Sequence, residues 1–253
     1  MSSSRENLIH RKGEAWMPPA CTNITPLRRF FDMQAKTMWN DLSEVLPNVR
    51  GTLIDAGCGA QPYRGFIPSS VKYIGIDQKN AEEHFGYKTP DTIYYEGMKW
   101  PLESGVADTV LTTETLEHVP NPDQYLAEAY RCLKRGGKLI LTVPFSVRWH
   151  YVPYDYFRYT PSGLNKLFSD AGFKDVEVYA RGNSMTVFCY KGMLVCMPFL
   201  SPQKMGFVKT NLLRLIGVAM LPFFVLFAVL ANISLCFGGG DDCLGYTAFA
   251  KKL

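Results

Sequence analysis

Short β-type runs alternating with helical ones constrain this chain more than any other feature. The runs are Thr52 to Asp55, Lys72 to Asp77, Thr92 to Tyr95, Thr109 to Thr112 and Lys138 to Val143, with helix-compatible segments between them. Strands joined through helices pair in parallel with right-handed crossovers. The expected fold is therefore α/β, a doubly wound, mostly parallel sheet of seven strands. The helix predicted from Pro122 to Leu133 carries Tyr125, Leu126, Ala129 and Leu133 on one face, and Gly136-Gly137 is expected to end it. A second helix, Thr160 to Ala171, opens on a Thr-Pro cap and is followed by Gly172. Asp175 to Tyr179 and Tyr246 to Lys251 read as the last two strands. Ahead of the sheet, Pro26 to Leu46 reads as one helix, and residues 1–25 as a loosely ordered lead.

Residues 26–182 and 244–253 are thus read as one domain, and 183–243 as an apolar helical insert before the last strand. Two apolar stretches make up the insert: Met185 to Leu200, interrupted by Lys191, and Leu215 to Phe237, which has no charge. The second is long enough to span a bilayer, which takes about 20 apolar residues. Both flanking strands belong to one sheet, so the chain has to return to its starting side and a single crossing is excluded. Either the stretches form a hairpin that enters and leaves the membrane, or they lie in its interface with Lys191, Lys204, Lys209 and Arg214 towards headgroups. The alternative is an apolar subdomain serving as substrate lid or dimer interface. The anchor is the favoured reading, a peripheral or monotopic contact on the inner face of a membrane.

Composition narrows the field further. With 253 residues and 47% hydrophobic content the chain can fill a core, and a formal charge of +4 gives no broad nucleic-acid surface, so no nucleic-acid partner is expected. Seven cysteines without a C-x-x-C pair fit reduced, mostly buried thiols better than a disulfide framework or structural zinc. Met1 to Pro19 holds charges and no apolar run, so no secretory signal is read there, and a cytoplasmic location is expected.

Leu53-Ile54-Asp55-Ala56-Gly57-Cys58-Gly59 sets an apolar strand directly before a glycine turn. Glycines there admit backbone conformations and close ligand approach that side chains obstruct. Asp77 ends the next strand, where a carboxylate can accept hydrogen bonds from ribose hydroxyls. The dinucleotide fingerprint needs a third glycine at position 62, and Pro62 stands there, so hydride transfer is not expected.

These residues resemble the class I S-adenosylmethionine-dependent methyltransferases, over positions from about 50 to 180 and the terminal strand. The resemblance implies that Asp55 organises the methionine end through the loop, that Gly57, Cys58 and Gly59 face the cofactor, and that Asp77 holds the ribose. Glu96 and Met98, in Tyr95 to Leu102, take the positions that border adenine, with Glu96-Gly97 where the family usually has an aspartate. Thr113 and Glu114, after the fourth strand, are implied to contact the methionine portion. S-adenosylmethionine is the implied cofactor and S-adenosylhomocysteine the implied product.

On the acceptor side, a hydroxyl nucleophile needs a base, and His118 and His150 are the candidates because neutral imidazole is available near physiological pH. The segment His150 to Thr160 resembles an H-x-x-P-x-D-x-x-R-Y-T stretch of methyltransferases from cell-surface glycan and lipid pathways. Asp155 is read as catalytic, and Tyr154, Tyr156, Arg158 and Tyr159 as acceptor-binding, through aromatic stacking and charged hydrogen bonds. The plainer readings are a local helix-start bond for His118 and an Asp155–Arg158 pair that pins the loop. Glu114, Glu117 and His118 form an E-x-x-E-H pattern similar to one that binds a divalent cation in quinone-pathway O-methyltransferases, but it is widespread without metal, and none is expected here. The resemblance implies a methyl transfer, most readily to oxygen, with carbon or nitrogen as alternatives that the fold supports equally. The apolar insert adds the expectation of a lipidic or membrane-tethered acceptor such as a glycolipid, lipid-linked glycan or quinone-like molecule. A soluble small-molecule methyltransferase with an apolar lid, and an idle membrane-associated cofactor-binding protein, are the alternatives.

Overall fold

The computed structural model describes residues 24–86, 88–200 and 207–253, so most of the predicted N-terminal lead lies outside the described residues. The helix expected from Pro26 to Leu46 is broken in two, α1 (Pro26–Phe31) and α2 (Met33–Val45). Asp32 breaks it: its backbone is extended (φ −100°, ψ 93°) and its side chain accepts from the Ala35 amide, capping α2. A capping aspartate satisfies an amide that the helix leaves orphaned, so periodicity runs through a point where the backbone does not.

The sheet begins with β1 (Thr52–Ala56) and β2 (Lys72–Gln78); the short α3 (Ala81–Phe85) leads to β3 (Thr92–Tyr95) and then β4 (Ala107–Thr113). After α4 (Pro122–Cys132) come β5 (Leu133–Pro144), α5 (Pro161–Asp170) and β6 (Lys174–Arg181). The insert follows as α6 (Ser184–Leu200) and α7 (Phe207–Ser234), and β7 (Gly245–Lys251) ends the sheet. Strand order is 3-2-1-4-5-7-6, all parallel except β7, which runs antiparallel to both β5 and β6. The expected doubly wound seven-stranded sheet is what the chain forms. One boundary differs: α4 ends at Cys132, and Gly136-Gly137 lies within β5, where Gly136 takes φ +78° and its amide bonds the Lys252 carbonyl. The glycines shape a turn at the strand's start rather than the helix end.

Side chains alternate across a strand, and the sheet's two faces show it. Ile54, Val110 and Leu139 enter one apolar cluster with Tyr125, Leu126 and Phe168 from α4 and α5. Their neighbours Leu53, Leu111 and Ile140 enter the other, under Leu42 of α2 and Leu46.

The helices α6 and α7 form an antiparallel hairpin. Near its base the Thr186 and Ser234 hydroxyls are 2.6 Å apart, halfway along Gly192 faces the Phe227 ring, and further out Gly217 faces the Phe199 carbonyl. A Cβ on Gly217 would stand 2.3 Å from that oxygen, the close approach that small residues allow between apolar helices. Met33, Val187, Tyr190, Met193, Ala228 and Leu244 join the hairpin's base to the domain. Much of its described apolar surface is uncovered: Phe188, Val195, Leu215, Val218 and Phe223 are all at least 59% exposed. Thr210–Phe237 is long and apolar enough to cross a membrane, with mean hydropathy 2.4 over its most apolar window and 11% of that window buried. A soluble core helix of that hydropathy would be mostly covered.

Candidate active site

At the carboxyl ends of β1, β2 and β4, where ligands of open α/β sheets bind, lies a cavity of about 530 Å³. The glycine turn forms one wall. Gly57 takes φ +69° and Gly59 φ +53°, and the Gly57 and Cys58 amides both bond the Ile76 carbonyl of β2. A Cβ on Gly57 would meet Thr115 at 2.3 Å, so this position admits only glycine on two counts.

Asp77 closes β2 beside the turn. Its Oδ2 accepts the Gly59 amide at 2.9 Å and its Oδ1 the Gln78 amide at 2.8 Å. Burial pushes its carboxyl up to about 6, against the pull of those two amides. Gln78, Tyr95, Gly97 and Met98 continue the wall with half-buried apolar and amide surface suited to a flat base. Thr113 and Glu114 line the opposite side. Glu114 holds φ +49°, a conformation that costs a non-glycine residue on the order of 1 kcal/mol and recurs at functional sites. Its Oε1 accepts from Arg181 at 2.8 Å. Cys58 also faces the cavity, but burial pushes its thiol up to about 12, so it is inert as a nucleophile.

Some sequence-predicted residues stand elsewhere. Asp55 does not line the cavity; it accepts the Tyr73 hydroxyl at 2.7 Å beneath the turn, and burial pushes its carboxyl up to about 7. Glu96 points to solvent in a 2.9 Å pair with Lys79, and Gly97 and Met98 take the wall. Tyr159 is buried, its hydroxyl donating to the Leu116 carbonyl. Asp155 and Arg158 pair at 2.5 and 2.6 Å behind the cavity wall, and Asp155 also accepts the His150 amide at 3.1 Å. Although burial alone would raise the Asp155 carboxyl, the Arg158 and His150 bonds hold it well below the usual carboxylate range.

His118, His150, Tyr154 and Tyr156 line the cavity. The His118 Nδ1 donates to the Tyr154 carbonyl at 2.8 Å, and the His118 and His150 rings meet edge-on, 5.0 Å between centroids. The His150 Nδ1 donates to the Arg148 carbonyl at 3.0 Å and lies 3.1 Å from Asp155. Because a carbonyl only accepts, both imidazoles turn Nδ1–H away and carry their lone pairs on Nε2. Burial lowers His118 to about 4, so it is neutral at physiological pH. Glu117 is fully buried, and burial raises its carboxyl well above the usual range; neither oxygen has a hydrogen-bond partner. Its Oε1 is 3.7 Å from His118 Nε2. Glu117, His118 and His150 bring their ligating atoms within 4.8 Å of one another, which among the described residues is the set able to hold an ion.

Sequence reasoning missed the cover. Arg28, Asp32, Gln34 and Met38 from α1 and α2, Tyr63, His84, and Tyr190 from α6 all line the cavity. His84 stacks on Tyr154, 3.9 Å between centroids. Arg28 and Asp32, four residues apart, form an ion pair at 3.2 Å at the break between α1 and α2.

The Asp77 carboxyl sets a pH dependence. An ionised carboxylate accepts more strongly than a protonated one, and Asp77 ionises only above about pH 6, so cofactor affinity measured by calorimetry is expected to fall as pH drops from 7.5 to 5.5. Folding runs the other way. Asp55 and Asp77 both sit above the carboxylate value, so the stability they contribute is full below about pH 4 and lost as pH rises through about 6 to 7.

Comparison with known proteins gives the family. The profile of the methyltransferase-domain family matches residues 30–178. The chain belongs to that family, and its domain is of the S-adenosylmethionine-dependent class. An uncharacterised methyltransferase of Mycobacterium bovis is 32% identical over 102 residues, 38% of this chain and 40% of that protein. An uncharacterised 37.1 kDa transposon protein of Streptomyces fradiae is 30% identical over 113 residues, 41% of this chain and 32% of that one. The chain thus spans less than half the length of these relatives. Among solved structures, a SAM-dependent methyltransferase from Archaeoglobus fulgidus superposes with TM-score 0.53 at 16% identity, covering 87% of this chain and 95% of that one. The [4+2]-cyclase SpnF superposes equally well, TM-score 0.53 at 19% identity, over 87% and 82% of the two chains. These likenesses show the fold alone.

Proposed function

We propose that the protein methylates an oxygen of a lipidic or membrane-tethered acceptor, using S-adenosylmethionine and releasing S-adenosylhomocysteine. One observation carries the acceptor class: Tyr190, on the apolar hairpin, lines the same cavity as Gly57 and Asp77. An acceptor held along the hairpin has its reacting end where the cofactor binds.

The residues present fit the cofactor. Asp77 offers an acidic acceptor to ribose, Tyr95 and Met98 an apolar wall to adenine, and Thr113 and Glu114 polar groups to the methionine portion. When bound, S-adenosylmethionine supplies an electrophilic methyl carbon. The chain's own part is to orient the acceptor and receive its proton. Tyr151, Tyr154 and Tyr156 give aromatic faces for the acceptor, and positioning of this kind supplies much of the acceleration in bimolecular transfers. His118 and His150 commit Nδ1 to carbonyls and keep their lone pairs on Nε2; because burial lowers His118 to about 4, His150 is the candidate to receive the proton. Asp155 keeps the His150 loop in place through the His150 amide and the Arg158 guanidinium.

His150→Ala is expected to lower turnover by about 100-fold or more while S-adenosylmethionine affinity changes little. Equal losses in both would undermine its role as base. The function itself is tested with methyl-labelled S-adenosylmethionine and membrane extracts: label entering the organic phase supports the reading, and label entering only water-soluble small molecules supports the soluble enzyme with an apolar lid. Turnover is expected to persist in chelator, and its loss there with recovery on adding a divalent cation would overturn metal-free catalysis.

A further inference from the structure

Arg181 is the last residue of β6 and is 2% exposed. Its Nη2 donates both to Glu114 Oε1 at 2.8 Å and to the Val143 carbonyl of β5 at 3.0 Å. The guanidinium occupies space that β7 leaves for it, since a Cβ on Gly245 would lie 2.3 Å from Nη2 and 3.0 Å from Cζ. Its Nε and Nη1 are buried without a hydrogen-bond partner. Burying a guanidinium with two unmade donors is costly, and an isolated structural ion pair gives little in return. What the arrangement does fix is Glu114, a cavity residue held at φ +49° with its amide bonded to Thr142.

The hairpin's two ends meet at the backbone of Arg181. After Arg181 the chain turns at Gly182 (φ +78°) and enters α6 through Asn183, whose Nδ2 donates to the carbonyls of Ser234 and Gly238 at the far end of α7. On return, the Leu244 amide bonds the Arg181 carbonyl at 2.9 Å. One residue therefore joins the root of the insert to the loop after β4.

We infer that Arg181 is a positioning residue, holding the Glu114 carboxylate, and with it the Thr113 to Thr115 loop, in the conformation that receives the methionine end of the cofactor. This rests on the cofactor reading above. It accounts for the strained backbone of Glu114, the glycine at 245 and the buried cation together.

The test is a cycle in the full chain of Arg181→Met, Glu114→Gln and the double variant, with Arg181→Lys as the conservative replacement. The readouts are S-adenosylmethionine affinity by calorimetry, KM against kcat, and thermal unfolding. Arg181→Met is expected to weaken affinity by about 10- to 100-fold and to raise the cofactor KM, with Arg181→Lys restoring a large part of the loss. The double variant is expected to bind no worse than the poorer single one, because the two act through one contact. Losses that multiply, or an Arg181→Met protein that unfolds at lower temperature yet binds normally, would overturn the inference. If Arg181→Met does not fold, Arg181→Lys with Glu114→Gln completes the same cycle, and normal affinity in both overturns it equally. Asp77→Ala run in parallel separates the failures. Binding lost there but kept in the Arg181 and Glu114 variants rejects the positioning role alone, whereas no binding by the unaltered chain rejects the cofactor reading itself.

Discussion

Asp77→Ala is expected to weaken S-adenosylmethionine binding by about 2–4 kcal/mol, roughly 30- to 700-fold, the size of one or two hydrogen bonds to a charged acceptor. Two losses combine. The carboxylate that would accept from the ribose hydroxyls is gone, and so is the partner that ties the Gly59 and Gln78 amides to the end of β2. The second loss loosens the glycine turn itself, whose Gly57 and Cys58 amides otherwise rest on Ile76 alone. Asp77→Asn keeps an acceptor oxygen for one amide and removes the charge, so it is expected to fall between. Calorimetry with S-adenosylmethionine and S-adenosylhomocysteine measures both, and since the ribose is common to the two, their affinities are expected to fall together. Unchanged affinity in Asp77→Ala would refute the ribose role. A fall confined to S-adenosylmethionine would move Asp77 towards the methyl-bearing end.

The fold was legible because it is written in local patterns. Neighbours such as Leu53 and Ile54, or Val110 and Leu111, are apolar in pairs since each strand is covered on both faces, and buried parallel strands read that way. The glycine turn and Asp77 were legible for a related reason: the residues that build the cavity wall there lie at the ends of two adjacent strands, β1 and β2. Asp32 was not, because a helix break made by one capping side chain leaves the apolar period intact. Asp55 and Glu96 show the limit of motif spacing. Both occupy positions the motif marks, yet the direction of the side chain is decided by partners far along the chain, Tyr73 for one and Lys79 for the other. The cavity's cover was illegible for the same cause. Arg28, Tyr63, His84 and Tyr190 come from four separate segments, and nothing local says that they converge. Arg181 is the extreme case: a strand-end arginine reads as solvated, and only tertiary structure buries it against Glu114.

The triple variant Val218→Asp, Phe223→Asp, Leu226→Asp is expected to abolish binding of the protein to phospholipid vesicles while leaving its fold intact. The three side chains are 69%, 59% and 50% exposed on α7, so in water the changes touch little of the packing that holds α7 to α6. In a bilayer the same positions carry the cost of placing charge in hydrocarbon, about 2.5–3.5 kcal/mol each near the centre of a helix and less towards the interface. Even if each costs about 1 kcal/mol, three lower the partition by at least about 100-fold. Co-sedimentation with vesicles reads the partition, and S-adenosylmethionine affinity is expected to stay within about twofold, since none of the three side chains lines the cavity. Vesicle binding that survives the substitutions would place the anchor elsewhere and return α6 and α7 to the role of lid or subunit interface. Those two separate on the unaltered chain: a concentration-dependent dimer broken by the variant marks an interface, and a monomer that retains turnover on water-soluble acceptors marks a lid. Loss of vesicle binding together with turnover on lipid acceptors, at unchanged cofactor affinity, is the pattern that joins the hairpin to the chemistry.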